Sequence, residues 1–156
     1  MGNYLVGADN KSGAHAKIRP DDWSVSKCRQ EMLATDKKTV SEKLKKYEEI
    51  CANLKPVFHH FFYENFQTPG MWFERRLAYL SSVAVSSMVG YILGIGDRHL
   101  QNILIDKITA EVIHIDFGIA FEQGKNLPHP ELIPFRLTRD VVAPLGMSGV
   151  NGVFRK

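Results

Sequence analysis

Gly94-Ile95-Gly96-Asp97-Arg98-His99-Leu100-Gln101-Asn102 mixes glycine with ionisable side chains. It is too polar for a core element and too irregular for a helix or strand, so it is read as a loop. Ile103-Leu104-Ile105 and Val112-Ile113-His114-Ile115 follow as two short β-rich runs around a turn at Asp106 to Ala110. Asp116-Phe117-Gly118 closes the second run. A hairpin entered from such a loop brings Asp97, Asn102 and Asp116 near one another at its open end. Three converging oxygen donors suit a hard cation such as Mg²⁺, which keeps several waters and is typically held by one or two carboxylates together with phosphate oxygens. Gly94-Ile95-Gly96 is not itself a nucleotide signal, because no third glycine follows and it does not join a strand to a helix.

Upstream of the loop the pattern is helical. Phe73, Leu77, Leu80, Ala84, Met88 and Tyr91 recur every three or four residues after Pro69, which predicts the longest helix of the chain, about 70 to 93, as a central packing element. Phe58, Phe61, Phe62 and Phe66 predict a shorter core-flanking helix, in which the adjacent His59 and His60 point about 100° apart and poorly suit one metal. Thr39-Val40-Ser41-Glu42 has the T-x-x-E form of a capping box and predicts a helix over about 40 to 54, with Leu44, Tyr47, Cys51 and Leu54 on one face and a solvated run of Lys and Glu on the other. A helix starting at Asp21 or Asp22 is expected to carry Trp23, Cys28 and Met32, and Met1 to Arg19 is expected to be extended, then looped. Downstream, Phe121 to Pro134 reads as loop, and Thr138 to Val142 as a short helix stopped by Pro144 and Gly146.

Composition narrows the class further. The chain has 156 residues, 44% of them hydrophobic and 24% charged, enough apolar surface for a real core and against disorder or a fibrous repeat. A net charge of +3 is too small for a nucleic-acid or membrane footprint, so neither partner is expected for this segment. Two separated cysteines, Cys28 and Cys51, are expected to be reduced thiols of an intracellular protein. No secretory pattern opens the chain, and Val83 to Ile95, interrupted by Ser86, Ser87, Gly90 and Gly94, is too short to span a bilayer.

The spacing of the ionisable residues carries a resemblance. Protein kinases place a catalytic Asp five positions before a metal-binding Asn, with a second metal ligand in D-F-G, and Asp97 and Asn102 stand five positions apart. In ordinary protein kinases a His precedes that Asp, whereas His99 follows it by two positions. This inversion resembles the phosphatidylinositol 3-kinase-related kinases, whose catalytic loop reads G-D-R-H-x-x-N and is followed by H-I-D-[FL]-G; both stand here, as Gly96 to Asn102 and His114 to Gly118. Pro134-Phe135-Arg136-Leu137-Thr138 is similar to the same family's P-F-R-L-T. Phe121 to Lys125, Leu127-Pro128, Pro130-Glu131 and Gly149 to Arg155 resemble the branch of the family that signals DNA damage.

The resemblance implies an α+β, protein-kinase-like fold of the phosphatidylinositol 3-/4-kinase catalytic type: a mainly helical carboxy-terminal lobe with short β-hairpins. It implies a partial catalytic domain over 1–156, with the catalytic loop at about 94–102 and the activation segment at about 116–138. The family's amino-terminal lobe, with its phosphate-covering loop and ATP-contacting Lys, and its FATC segment are expected to lie outside this chain, so the 156 residues alone should be nearly or wholly inactive. Asp97 is implied as the catalytic base and His99 as a catalytic group beside the γ-phosphate. Asn102 and Asp116 are implied as Mg²⁺ (or Mn²⁺) ligands, and Asn102, Asp116, Phe117 and Gly118 as contributors to the ATP site. Arg98 is expected to be a structural tie within the loop, and His114 to pack or hydrogen-bond.

Between Ile119 and Ile133 the only Lys or Arg is Lys125, set against Glu122 and Glu131, a poor match to a phosphoinositide headgroup. A protein substrate with Ser or Thr followed by Gln is implied instead, with Leu127, Pro130 and Glu131 forming part of the glutamine pocket. Homodimerisation, a nuclear and partly cytoplasmic location and a DNA-damage role are implied by the resemblance alone. The rival readings are a non-catalytic remnant or interaction module, a phosphoinositide kinase, and a metal-dependent phosphoesterase built on the Asp97-x-His99 pair. Ala143-Pro144, where the family tends to have a polar residue and glycine, puts a shorter helix there.

Overall fold

The computed structural model describes residues 1–7, 12–121, 123–127 and 130–155. Seven α-helices and one hairpin follow in chain order among them: α1 (Gly2–Leu5), α2 (Ala14–Ile18), α3 (Val25–Leu33), α4 (Val40–Asn53), α5 (His60–Asn65), α6 (Pro69–Leu93), β1 (Ile103–Ile105), β2 (Val112–His114) and α7 (Arg139–Val142). Short 3₁₀ turns at Gln123–Asn126, Ala143–Leu145, Gly149–Asn151 and Val153–Arg155 complete them. The chain divides into two compact units, one of Asn3–Val57 and one of Met1–Gly2 with Phe58–Lys156.

In the first unit the amino-terminal stretch forms α1 and α2, where an extended segment and loop were expected. The next helix starts at Val25, because Ser24 Oγ accepts the amide of Lys27 as its cap. Asp22 is used otherwise: its carboxylate takes Arg19 Nε at 2.9 Å and the amide of Lys55 at 2.8 Å, tying the start of α3 to the end of α4. The Thr39–Glu42 capping box forms with both of its bonds, and α4 covers Val40–Asn53. Its buried side chain is Ile50; Leu44 and Tyr47, expected on a packed face, are exposed. Lys46 bridges Glu31 and Glu49 on the surface of α3 and α4. Of the two cysteines, Cys28 is buried and Cys51 half-buried.

The second unit is organised by an aromatic cluster. Phe58, Phe61, Phe62 and Phe66 are all buried and stack or pack edge-on, and Phe58 and Phe62 meet Tyr79 of α6 at 5.8 and 5.3 Å between ring centroids. Each buried Phe contributes about 1.5–3 kcal/mol through the area it removes from water. Tyr79 Oη donates to the carbonyl of Val141 at 2.9 Å, and the amide of Phe58 donates to Asp140 Oδ1 at 3.1 Å, so α5, α6 and α7 close on one another.

Helix α6 is the longest, with Pro69 in its first turn and Thr68 Oγ1 accepting the amide of Met71. Its packed stripe is Tyr79, Leu80, Val83, Ser87 and Gly90, which shares Leu80 with the stripe expected from the sequence and elsewhere lies one position before it. Phe73, Leu77, Met88 and Tyr91 are exposed and Ala84 is half-buried. The expected central helix is therefore buried along one face only. Length and composition alone would let α6 cross a membrane, a property it shares with core helices. It ends in a Schellman motif: Gly94 at φ +58°, with the amide of Ile95 reaching back to the carbonyl of Gly90 at 2.9 Å.

The hairpin pairs antiparallel in the register Ile103↔His114, Leu104↔Ile113, Ile105↔Val112. Asp106 Oδ1 accepts the amides of Ile108 and Thr109, both at 2.7 Å, and builds the turn. Between β2 and α7 the described residues are irregular apart from the 3₁₀ turn at Gln123–Asn126; of the loop expected over 121–134, residues 122, 128 and 129 lie outside the described residues. Thr138 precedes α7, but Pro144 does not stop the chain there; it enters the 3₁₀ turn Ala143–Leu145, and Gly146 at φ +74° makes the break.

Candidate active site

The loop from Gly94 to Asn102 is held from two sides within the second unit. Gly96 N–H donates to the carbonyl of Ile119 at 2.9 Å, and the carbonyl of Asn102 accepts the amide of Ile115 at 3.0 Å. The loop is thereby stitched to the residues on either side of Asp116-Phe117-Gly118.

Arg98 is the strongest of these ties. It is buried at 8% exposure, and its guanidinium donates from Nε to Gly96 O at 2.8 Å, from Nη1 to Ile115 O at 2.7 Å and from Nη2 to Asp116 O. A rigid planar fork with several donors can hold three carbonyls at once; an ammonium lacks that geometry. The same guanidinium lies 5.5 Å from the centre of the Phe117 ring, a cation–π contact. Arg98 was expected as a tie within its own loop, and it also grips the end of β2.

Four of the residues singled out from sequence surround this tie. Asn102, buried at 6% exposure, donates from Nδ2 to the carbonyl of Asp97 at 2.9 Å, which fixes the amide and leaves Oδ1 as its oxygen donor. His99 is exposed; its Nδ1 accepts the amide of Gln101 at 3.2 Å, so the proton of the neutral ring sits on Nε2, 3.9 Å from Asp97 Oδ2. Asp116 is exposed, with Oδ1 taking the amide of Gly118 at 3.3 Å. Asp97 and Asp116 both have left-handed backbone, at φ +56° and +57°, a region non-glycine residues enter rarely and Asp more readily than most.

The donor set suits a hard divalent cation shared with phosphates: one carboxylate at Asp116 and one oriented carboxamide oxygen at Asn102, leaving further positions for water and substrate oxygens. His114 stands beside the tie. Burial, and then the charge of Arg98, hold its pKa below the usual imidazole value, so the ring favours the neutral form, consistent with a packing position.

The expected substrate residues divide. Glu131 is half-buried and lines a groove with Tyr91, Gly96, Gly124 and Ile133, whereas Leu127 and Pro130, half-buried and exposed respectively, do not line it among the described residues. Glu122 and Pro128 lie outside the described residues. The amides of Leu127 and Glu131 both point to the carbonyl of Gly124, at 3.5 and 3.1 Å.

Two features were not read from the sequence. One is a bond from the Asp97 amide to Glu131 Oε1 at 2.8 Å, for which no local pattern gives a signal across 34 residues. The other is the outer face of the hairpin, where the cross-strand pair Leu104 and Ile113 stays 41% and 47% exposed. Period-two alternation from the buried Ile103 and Val112 would have placed both on one face.

The chain belongs to the phosphatidylinositol 3- and 4-kinase family, whose profile matches residues 6–156. Within it, the chain is 60% identical over 158 residues to the serine/threonine-protein kinase ATM of Drosophila melanogaster, a match that covers 100% of this chain and 6% of that protein. The solved FAT and kinase domain of CtTel1 superposes with a TM-score of 0.89 at 42% identity, covering 99% of this chain and 11% of that one. The complete CtTel1 dimer with C2 symmetry gives the same TM-score and identity over 99% of this chain and 6% of that one. The chain thus spans a small fraction of the length of the relatives it matches. The α+β kinase-type fold with one small antiparallel hairpin agrees with these neighbours.

Proposed function

We propose that this chain carries the catalytic loop and activation segment of a Ser/Thr protein kinase that transfers the γ-phosphate of ATP to Ser or Thr followed by Gln. The observation that carries this reading is the grip of Arg98, which joins the Asp97 loop to Asp116 and brings a base candidate and a metal-ligand candidate to one end of the hairpin. Asp97 takes the proton of the attacking hydroxyl, a task for a carboxylate within hydrogen-bond reach of the nucleophile. His99 presents Nε2–H on the same side and stabilises charge on the transferring phosphoryl oxygens. Asn102 and Asp116 hold Mg²⁺, which when bound neutralises phosphate charge. Phe117 and Gly118 shape the turn that aims the Asp116 carboxylate. The exposed Leu104–Ile113 pair offers an apolar plate for a nucleobase beside these ligands.

The names of the relatives favour a protein over a lipid substrate, in line with the single Lys between Ile119 and Ile133. Glutamine selection by Leu127, Pro130 and Glu131, a DNA-damage role, and nuclear with some cytoplasmic location rest on the resemblance. Homodimerisation of the whole protein is supported by the dimer named for CtTel1.

The test is phosphate transfer from Mg-ATP by the fruit-fly relative with its matching segment replaced by this chain. A Ser-Gln peptide, its Ser-Ala twin and phosphoinositide vesicles are offered, with Asp116→Asn as control. Transfer that prefers Ser-Gln and falls about 100-fold or more in the control is expected. Transfer to the vesicles alone moves the substrate class to lipid, and silence of the graft beside an active parent favours a non-catalytic remnant.

A further inference from the structure

We propose that Glu131 is a positioning residue for the catalytic loop, clasping the backbone of Asp97 from the activation segment; this rests on the kinase reading above. Asp97 holds an uncommon left-handed backbone, and its amide has one acceptor, Glu131 Oε1, at 2.8 Å. An ionised carboxylate accepting a backbone N–H makes a charge-assisted bond, stronger than its neutral counterpart. The second oxygen, Oε2, occupies a slot that exists because two neighbours lack side chains. A Cβ built on Gly96 would overlap Oε2, and one built on Gly124 would lie 2.6 Å from it. Neither glycine has positive φ; at Gly124 the atoms a Cβ would meet are all of Glu131, and at Gly96 they are the Glu131 carboxylate and Ile119 Cγ2.

The clasp is closed on itself. The amide of Glu131 donates to Gly124 O at 3.1 Å, which sets the carboxylate's own backbone against the same glycine, and Gly96 N–H donates to Ile119 O. The segment expected to receive substrate and the residue expected to act as base are therefore held as one piece. If the activation segment is displaced, Asp97 loses the acceptor of its amide. A shift of about 1 Å in a catalytic group is enough to cost on the order of 100-fold in rate.

The role separates from glutamine recognition by which kinetic quantity moves. In the fruit-fly relative carrying this chain as its matching segment, Glu131→Ala is expected to lower kcat about 10- to 100-fold on the Ser-Gln and Ser-Ala peptides alike, with KM for ATP little changed. Glu131→Gln, which retains an oxygen acceptor, is expected to recover part of that loss. Gly124→Ala keeps the carboxylate but fills its slot, and is expected to behave like Glu131→Ala. Hydrogen–deuterium exchange of the backbone around Gly96 to Arg98 is expected to quicken in Glu131→Ala and Gly124→Ala and to stay near the parent rate in Glu131→Gln. A loss confined to the Ser-Gln peptide, or unchanged exchange at Asp97 in both Glu131→Ala and Gly124→Ala, overturns the proposal. Exchange is read without any transfer, so a clasp found in an inactive graft would sink the kinase reading while leaving the clasp standing.

Discussion

Arg98 Nη1 donates to the carbonyl of Ile115 at 2.7 Å, across seventeen residues and from one motif to the next. The bond belongs to a set of three on carbonyls that the backbone ladder does not use. Removing the guanidinium in Arg98→Ala leaves those carbonyls without their donor in a largely buried place. The expected cost is on the order of 3 kcal/mol in urea unfolding. Arg98→Lys keeps the charge without the fork and should recover less than half of that loss.

His114 is expected to report the same contact by titration. Burial and then the Arg98 charge lower its pKa in the folded chain from the model-compound value of 6.5. The unfolded chain therefore takes up the proton first as pH falls. The stability contributed by the neutral ring is present above pH 6.5 and is lost progressively below it. In Arg98→Ala one of the two causes is gone, and the midpoint of the His114 imidazole resonance in NMR should move upward.

Tyr79 carries the opposite pH signature. Burial first, then the charge of Asp140, raise its phenol pKa far above the model-compound value of 10.0. The folded chain keeps the proton that the unfolded chain gives up, so stability holds below pH 10.0 and falls as pH rises above it. Tyr79→Phe should flatten that alkaline loss while costing about 1–2 kcal/mol at neutral pH, because the buried Val141 carbonyl loses its donor.

Helix α4 offers a test in the first unit. Thr39 Oγ1 accepts the amide of Glu42 at 3.4 Å, and Glu42 Oε2 accepts the amide of Thr39 at 3.0 Å. Thr39→Ala should destabilise the helix by about 1 kcal/mol, seen as faster amide exchange in its first turn. The Thr39 hydroxyl, donating to Glu42 Oε2 at 2.6 Å, and then the Thr39 amide lower the Glu42 pKa, so the box contributes above the carboxylate's usual range and fades as pH falls below it.

Local chemistry accounts for what was legible in the sequence. The capping box at Thr39, the hairpin around Asp106, the Phe cluster and the end of α6 at Gly94 each depend on residues within a few positions of one another, and each forms close to where the sequence places it. Apart from Leu80, the buried α6 stripe lies one position before the apolar spacing, because Tyr79, Ser87 and Gly90 are not strongly apolar, while exposed Phe73, Met88 and Tyr91 are. Composition places a helix start at Asp21 or Asp22, but a distant amide, that of Lys55, takes the Asp22 carboxylate. The candidate site divides in the same way. Asp97, His99 and Asn102 announce themselves by spacing, whereas the Arg98 grip and the Glu131 contact join residues far apart in the chain, where no periodicity points.

The left-handed backbone at Asp97 and Asp116 bears on how an inactive form of this protein should be made. Among the side chains that can replace a carboxylate, asparagine tolerates that conformation best, while alanine is strained in it and a β-branched residue more so. An alanine at either position would relax the loop as well as silence the chemistry, blending two defects into one phenotype. Asparagine at Asp97 or Asp116 is the substitution whose dead protein should still present substrate-facing surfaces in their native places, and so the one fit to capture substrates without turning them over.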